Sequence, residues 1–261
     1  MKRVGKIEFT NWLQQVGKGM VELVFTSPSY CPVCGQEESL ANGLGKNCLR
    51  KIALIQAPVC RKCGRPKRLL ATVGDICNQC NETRYFFSEA RAVAVYDGAL
   101  REYLTELKYR YRPDLGEALG MLIVDWIKYH REFYRKINLI IPIPIHWQKL
   151  SVRGYNQAEL LANPLQKYLG IKIKNDIIIR DKITESQNAL SKEERFANID
   201  RAFRVNDTVS VSGARVLLVD DIFTTGATVS EAARVLLRAG ALDVKVLTLA
   251  GGVMDSEWTM Q

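Results

Sequence analysis

The sequence predicts an α/β protein: a mainly parallel, Rossmann-like sheet with a cysteine-rich head at its N-terminal end. Three observations lead there. All seven cysteines fall between positions 31 and 80. From about residue 90, short apolar runs alternate with stretches of helical periodicity, the pattern of strand–helix–strand units. Within that alternation stands Val216-Leu217-Leu218-Val219-Asp220-Asp221-Ile222-Phe223-Thr224-Thr225-Gly226-Ala227-Thr228: a buried strand ending in two acids, two more apolar residues, then a Thr/Gly loop that opens a helix. The head is expected to occupy residues 1–88 and the α/β body residues 89–261.

The chain has 261 residues, enough for a full core and two domains. Its 47% hydrophobic and 25% charged residues are ordinary for a globular protein. The net charge of +9 suits a polyanionic partner: nucleic acid, an anionic surface or a pyrophosphate substrate. Charge alone does not separate these. No apolar stretch reaches membrane-spanning length. Glu8, Asn11, Gln14 and Gln15 interrupt any signal-peptide core, so the cytoplasm is the expected compartment. Phe9, Trp12, Leu13, Val16, Met20 and Leu23 recur at helical spacing, which predicts a helix docking one face on the body.

The cysteines form three Cys-x2-Cys pairs and one single residue. Both thiols of such a pair reach one tetrahedral ion, and closed sites of this kind take zinc. Cys60, Cys63, Cys77 and Cys80 make a complete set, with thirteen residues between the pairs. Cys31, Cys34 and Cys48 repeat the spacing, but Lys51 stands where a fourth cysteine would complete the set. The expectation is a tandem zinc ribbon whose first copy is one ligand short. Weak zinc, a ligand from elsewhere, an empty first site and a swapped pairing between the ribbons are all left open by the spacing. Disulfides fit poorly, because seven thiols cannot all pair and no secretion signal is legible. The ion would be structural, holding together a region too small for its own core. Arg61, Lys62, Arg65, Lys67 and Arg68 crowd the second ribbon; a solvated surface and a contact to a nucleic-acid backbone are both readings of them.

In the body, strands are predicted at residues 91–96, 138–144, 176–180, 202–205, 216–219 and 244–249. Helices are predicted at 99–109, 114–129, 153–168 and 229–238. Pro142 and Pro144 mark a strand end, since proline cannot donate to a ladder. The loop after Pro144 carries His146, Lys149 and Arg153 ahead of a helix N-terminus, where cations could meet a pyrophosphate. Ordinary surface charge is an equal reading of Lys149. His130, the other histidine, falls at a helix end and reads as surface. Residues 181–198 are long and polar, which predicts a loop that is either functional or disordered.

The acid–loop run carries the chemistry. In an open α/β sheet, ligands bind outside the carboxyl ends of the strands. Asp220 and Asp221 can there accept from the two hydroxyls of a ribose. Thr224, Thr225, Gly226, Ala227 and Thr228 form a loop of small residues able to aim N–H groups at a phosphate, with a helix N-terminus behind it. A ribose 5′-phosphate is the ligand so implied. The plain alternative is a strand–turn–helix with Asp and Thr as caps.

This run resembles the phosphoribosyl pyrophosphate (PRPP) signature of type I phosphoribosyltransferases, with Ala227 in place of a second glycine. Alanine resists positive φ, so a slightly less tight loop is expected. Added to the cysteine pairs are Leu107-Lys108-Tyr109, Pro142-Ile143-Pro144, Arg153-Gly154-Tyr155-Asn156-Gln157-Ala158, and Ser186-Gln187 with Glu194-Arg195. With these the chain resembles, over nearly its whole length, the ComF family of competence proteins. The resemblance implies a double zinc ribbon joined to a type I phosphoribosyltransferase-like domain, and an association with DNA uptake and natural transformation. It places Asp220 and Asp221 on the ribose hydroxyls, residues 224–228 around the 5′-phosphate, and the loop bearing Lys149 and Arg153 toward the pyrophosphate. It makes residues 181–198 a closing loop and puts Mg²⁺ between ribose and pyrophosphate oxygens.

Two functions follow. As an enzyme, the chain would use Mg-PRPP to transfer a phosphoribosyl group to an acceptor that the sequence does not name. As a binding module, it would hold single-stranded DNA on basic–aromatic segments such as residues 108–112, and its PRPP-like site would sense a nucleotide. DNA-uptake proteins are the partners the family implies, and membrane insertion is not expected.

Overall fold

The structure, a computed structural model, describes residues 30–67, 72–182 and 192–252. The expected N-terminal helix, Arg68 and residues 183–191 of the polar loop lie outside the described residues. The head holds helix α1 (Lys46–Arg50), an antiparallel pair β1 (Thr72–Val73) and β2 (Ile76–Cys77), and helix α2 (Asn78–Glu82). The body follows as β3 (Glu89–Val95), α3 (Gly98–Tyr109), α4 (Asp114–Lys128), α5 (Arg131–Tyr134), β4 (Leu139–Pro142), α6 (Trp147–Arg153), α7 (Gln157–Leu169) and β5 (Ile178–Arg180). It ends with α8 (Lys192–Ile199), β6 (Phe203–Val205), α9 (Thr208–Val211), β7 (Arg215–Phe223), α10 (Ala227–Arg238) and β8 (Asp243–Gly251).

The main sheet runs β3-β8-β7-β4, with every neighbouring pair parallel. Its strands are almost continuously buried, as strands covered on both faces must be. Alternate residues serve opposite faces. Leu217, Val219, Leu247 and Leu249 pack with Leu104, Leu119 and Leu161 from α3, α4 and α7. Leu218 and Val246 pack with Val229, Ala233 and Leu236 from α10.

The expected parallel sheet is present, and the structure corrects several local expectations. Residues 178–180 and 203–205 lie outside the main sheet as a separate antiparallel pair, with Ile178 opposite Val205. The stretch after His146, expected as loop, is helix α6. His146 Nδ1 accepts from Gln148 N (3.3 Å) at its start, and Gly154, at φ 79°, ends it in the left-handed conformation. No residue of α6 is buried, so no apolar periodicity announces it. The helix expected from residue 153 accordingly begins at Gln157, where Asn156 Oδ1 caps it by accepting from Ala158 N (3.1 Å). The second half of the expected polar loop is helical too, because Phe196 and Ile199 of α8 pack into the core around α10.

The described residues of the head pack into the body's two clusters. Cys31, Leu44, Cys48 and Ile52 join the cluster of α3 and α4, while Cys60, Cys63, Cys77 and Phe87 join that of α10. Between the two ribbons the chain lies antiparallel along β3: Ile55 N donates to Val93 O (2.9 Å) and Val95 N to Ala53 O (2.8 Å). The head thus covers an otherwise open sheet edge.

Helices α4 and α7 meet at two glycines. A Cβ on Gly116 would stand 2.5 Å from Leu160 Cβ, and one on Gly120 2.7 Å from Leu161 O. Alanine in place of a helical glycine ordinarily gains about 1 kcal/mol. Gly120→Ala is instead expected to destabilise the protein by about 1–3 kcal/mol through overpacking, read by urea unfolding.

Candidate functional site

Strand β7 does not end before the acids, as the sequence predicts, but continues through them to Phe223. Asp220 and Asp221 are therefore held by the sheet, at 8% and 6% exposure. Each turns one oxygen back on the next amide: Asp220 Oδ1 accepts from Asp221 N and Asp221 Oδ1 from Ile222 N, both at 2.9 Å. Asp221 Oδ2 is paired with the Lys108 ammonium, from the last turn of α3. Burial, and then the neighbouring Asp221, push Asp220 well above the usual carboxylate range. Burial also works to raise Asp221, but Lys108 outweighs it and holds that carboxyl below the usual range. Lys108 in turn is raised, because Asp221 more than offsets its own burial.

The phosphate-type loop follows directly. Its positive φ, 81°, falls on Gly226. Ala227 is the first helical residue of α10 and buried, so the loosening expected of an alanine there does not arise. Thr225 Oγ1 accepts from Ala227 N (3.3 Å). The carbonyls of Thr224 and Thr225 are engaged from the head, by Arg65 Nη2 and by the Tyr85 hydroxyl (2.7 Å).

Lys108 touches Asp221, while the charge of Arg153 acts on Asp221 and that of Asp220 on Arg180. Lys149, an exposed residue, is lowered by desolvation first and then by the charges of Arg180, Arg153 and Lys108. Arg153 Nη1 donates to Gln157 Oε1, and its guanidinium lies 5.6 Å from the Tyr109 ring centre. Arg180 is lowered by burial and partly restored by Asp220. Lys149 and Arg153 lie on helix α6 and not on the loop the sequence predicts, and Lys108 and Arg180 are not among the site residues the sequence singles out. A signal exists for both: Lys108 continues the buried stripe of Leu100 and Leu104 at i+4, and Arg180 shares a strand face with buried Ile178. His146 does not serve as a rim cation, since it is buried and its Nδ1 caps α6.

In the head, the Sγ atoms of Cys60, Cys63, Cys77 and Cys80 lie within 4.8 Å of one another. The Cys63–Cys77 separation is 3.8 Å, the edge of a tetrahedron with zinc–sulfur bonds of about 2.3 Å. The donor set and spacing fit structural zinc. Cys31, Cys34 and Cys48 also cluster, so the ribbons keep their own cysteines. Among the described residues no fourth Cys, His, Asp or Glu joins those three. Lys51 is an exposed C-cap of α1. Among the described residues no helix is long and apolar enough to cross a membrane.

Two family models match, a double zinc ribbon domain over residues 20–82 and a phosphoribosyl transferase domain over residues 154–256. DNA utilization protein YhgH of Escherichia coli O6:H1 is 31% identical over 230 residues, 87% of this chain and 98% of that protein. Competence protein F of Haemophilus influenzae is 29% identical over 80% of this chain and 90% of its own length. Competence protein ComFC of Bacillus subtilis is 29% identical over 78% of this chain and 82% of its own. The chain belongs to the ComF family.

The stretch that carried the ComF resemblance, Arg153 to Ala158, is the brace of the site. Tyr155 donates its hydroxyl hydrogen to Leu107 O (2.5 Å), beside Lys108. Asn156 Nδ2 donates to Ile143 O (3.0 Å), fixing the exit from β4. A Cβ on Gly154 would stand 3.1 Å from the Tyr111 ring. The basic residues of the second ribbon divide: Arg61 is exposed, Arg68 lies outside the described residues, and the other three have partners. Arg65 is 4% exposed and reaches Thr224, Lys62 donates to Phe87 O, and Lys67 pairs with Asp75 (2.7 Å). The run at 108–112 divides as well: Lys108 enters the site, Arg112 is tied to Asp114 (2.7 Å) and Pro32 O, and Tyr109 and Tyr111 are exposed.

Cys63→Ser is expected to release a chelator-resistant zinc, whereas Cys34→Ser leaves it bound. Metal analysis after treatment with a chromogenic chelator checks this.

Proposed function

We propose that this ComF-family chain binds Mg-PRPP at the Asp220–Asp221 site and acts in DNA uptake, with phosphoribosyl transfer as the chemistry the site suits. The observation that carries the reading is the pairing of two buried carboxylates with a phosphate-type loop and the cations Lys108, Lys149, Arg153 and Arg180. Ribose hydroxyls would donate to the carboxylates, the loop's N–H groups would take the 5′-phosphate, and the cations would face the pyrophosphate. Mg²⁺, bound with the substrate's oxygens, would neutralise the leaving group. Transfer is a displacement of pyrophosphate at the anomeric carbon. The carboxylates would stabilise the cationic sugar, and Arg153 and Lys149 the departing charge. Lys108 guards Asp221 until the ribose replaces it. The DNA-uptake role rests on the relatives called competence proteins.

A second reading, single-stranded DNA binding, is supported by Tyr109 and Tyr111, 72% and 71% exposed and flanking exposed Arg110 beside the site. It requires DNA affinity that falls steeply with salt and survives Asp220→Asn/Asp221→Asn.

Calorimetric titration of Mg-PRPP separates the readings. Saturable binding to the wild type, lost in Asp220→Asn/Asp221→Asn, supports the site; no binding to folded, zinc-loaded wild type refutes it. The pH dependence has a definite sign. Burial and the neighbouring Asp221 raise Asp220 in the free protein, whereas ribose hydroxyls donate to its ionised form, so ribose binding favours loss of the proton. Affinity is expected to rise with pH as Asp220 ionises, with net proton release when heats are compared in two buffers.

A further inference from the structure

Two side chains of the zinc head end on the carbonyls of the phosphate-type loop, and they are joined to each other. Arg65 follows Cys63-Gly64, and its own carbonyl accepts from Cys60 N (2.8 Å), so it belongs to the first knuckle of that zinc site. Its guanidinium lies 5.5 Å from the Phe223 ring centre, donates through Nη2 to Thr224 O, and donates through Nη1 to Gln79 Oε1. Gln79 lies within the second knuckle, between Cys77 and Cys80. Its Nε2 donates to the Tyr85 oxygen (3.1 Å), and Tyr85 donates to Thr225 O (2.7 Å). The circuit Thr224–Arg65–Gln79–Tyr85–Thr225 therefore runs through both halves of the four-cysteine site. The loop has little freedom beside it: a Cβ on Gly226 would stand 2.7 Å from Phe223 Cζ and 2.9 Å from Tyr85 Cε1. Phe86 N donates to Ser230 Oγ (3.1 Å), pinning the head to the first turn of α10.

We propose that Arg65 and Tyr85 are positioning residues for the 5′-phosphate, and that zinc in the four-cysteine site sets the phosphate loop through them. The proposal rests on the PRPP reading above. A carbonyl held on the head side is turned away from the phosphate, and the peptide it belongs to presents its N–H in a fixed direction. Zinc fixes the two knuckles relative to each other, and so fixes Arg65 relative to Gln79. Hydrogen bonds in such a circuit polarise one another, so breaking one weakens the rest.

The test compares zinc-loaded full chains of the wild type, Tyr85→Phe, Arg65→Lys and Lys67→Ala. The last alters the same ribbon at a side chain that, among the described residues, hydrogen-bonds Asp75 and the Gly74 carbonyl. Three readouts are taken: bound zinc, amide hydrogen exchange across residues 222–230 without ligand, and Mg-PRPP affinity. Zinc content is expected to stay constant throughout. Exchange at residues 225–228 rises in Tyr85→Phe and Arg65→Lys but not in Lys67→Ala, and Mg-PRPP binds about five-fold more weakly in the first two. Stripping zinc from the wild type raises exchange over the same residues. Unchanged exchange in Tyr85→Phe, or unchanged affinity alongside a wild type that binds, overturns the proposal. A wild type that binds no Mg-PRPP removes the functional reading, and the exchange result then decides by itself whether the head sets the loop.

Discussion

Two adjacent carboxylates buried at the end of a central strand are the constraint around which this molecule is built. Leaving both charged without partners is costly in so dry a place. The structure answers with one ammonium in contact and three further cations close by, and the two carboxyls divide, one held up and the other held down. Much of the surrounding architecture places those cations. Tyr155 ties the end of α3, where Lys108 sits, to the start of α7. Gly154 and Asn156 end one helix and begin the next, so Arg153 is delivered on a short rigid element rather than on a loose loop.

The head answers a different constraint. Its cysteines gather in two clusters, one a complete set able to hold zinc, and most of them also pack into the body's apolar clusters. Because it packs there, it does more than cap the sheet edge. Its buried arginine and tyrosine hold the backbone on which a phosphate would rest.

How much of this was legible follows from distance along the chain. The strand, acids, loop and helix lie on contiguous residues, and the cysteines repeat a Cys-x2-Cys pair and a thirteen-residue interval, so both are legible directly. Ala227 was misjudged because sequence does not show which residue of Gly226-Ala227 takes the positive φ. Helix α6 was missed because it buries nothing and leaves no periodic stripe. Arg65 was read among a cluster of surface cations, yet its partner, Thr224, lies 159 residues away. Lys108 carried a local trace, a charge on a buried stripe, but its meaning depends on a carboxylate from another strand.

The most direct test of the central claim is an experimental structure of the zinc-loaded chain with Mg-PRPP. The expected result is the 5′-phosphate against the amides of residues 224–228, the ribose on Asp220 and Asp221, and Lys108 displaced from Asp221. A ligand lodged elsewhere, with the Lys108–Asp221 pair intact, would contradict the account.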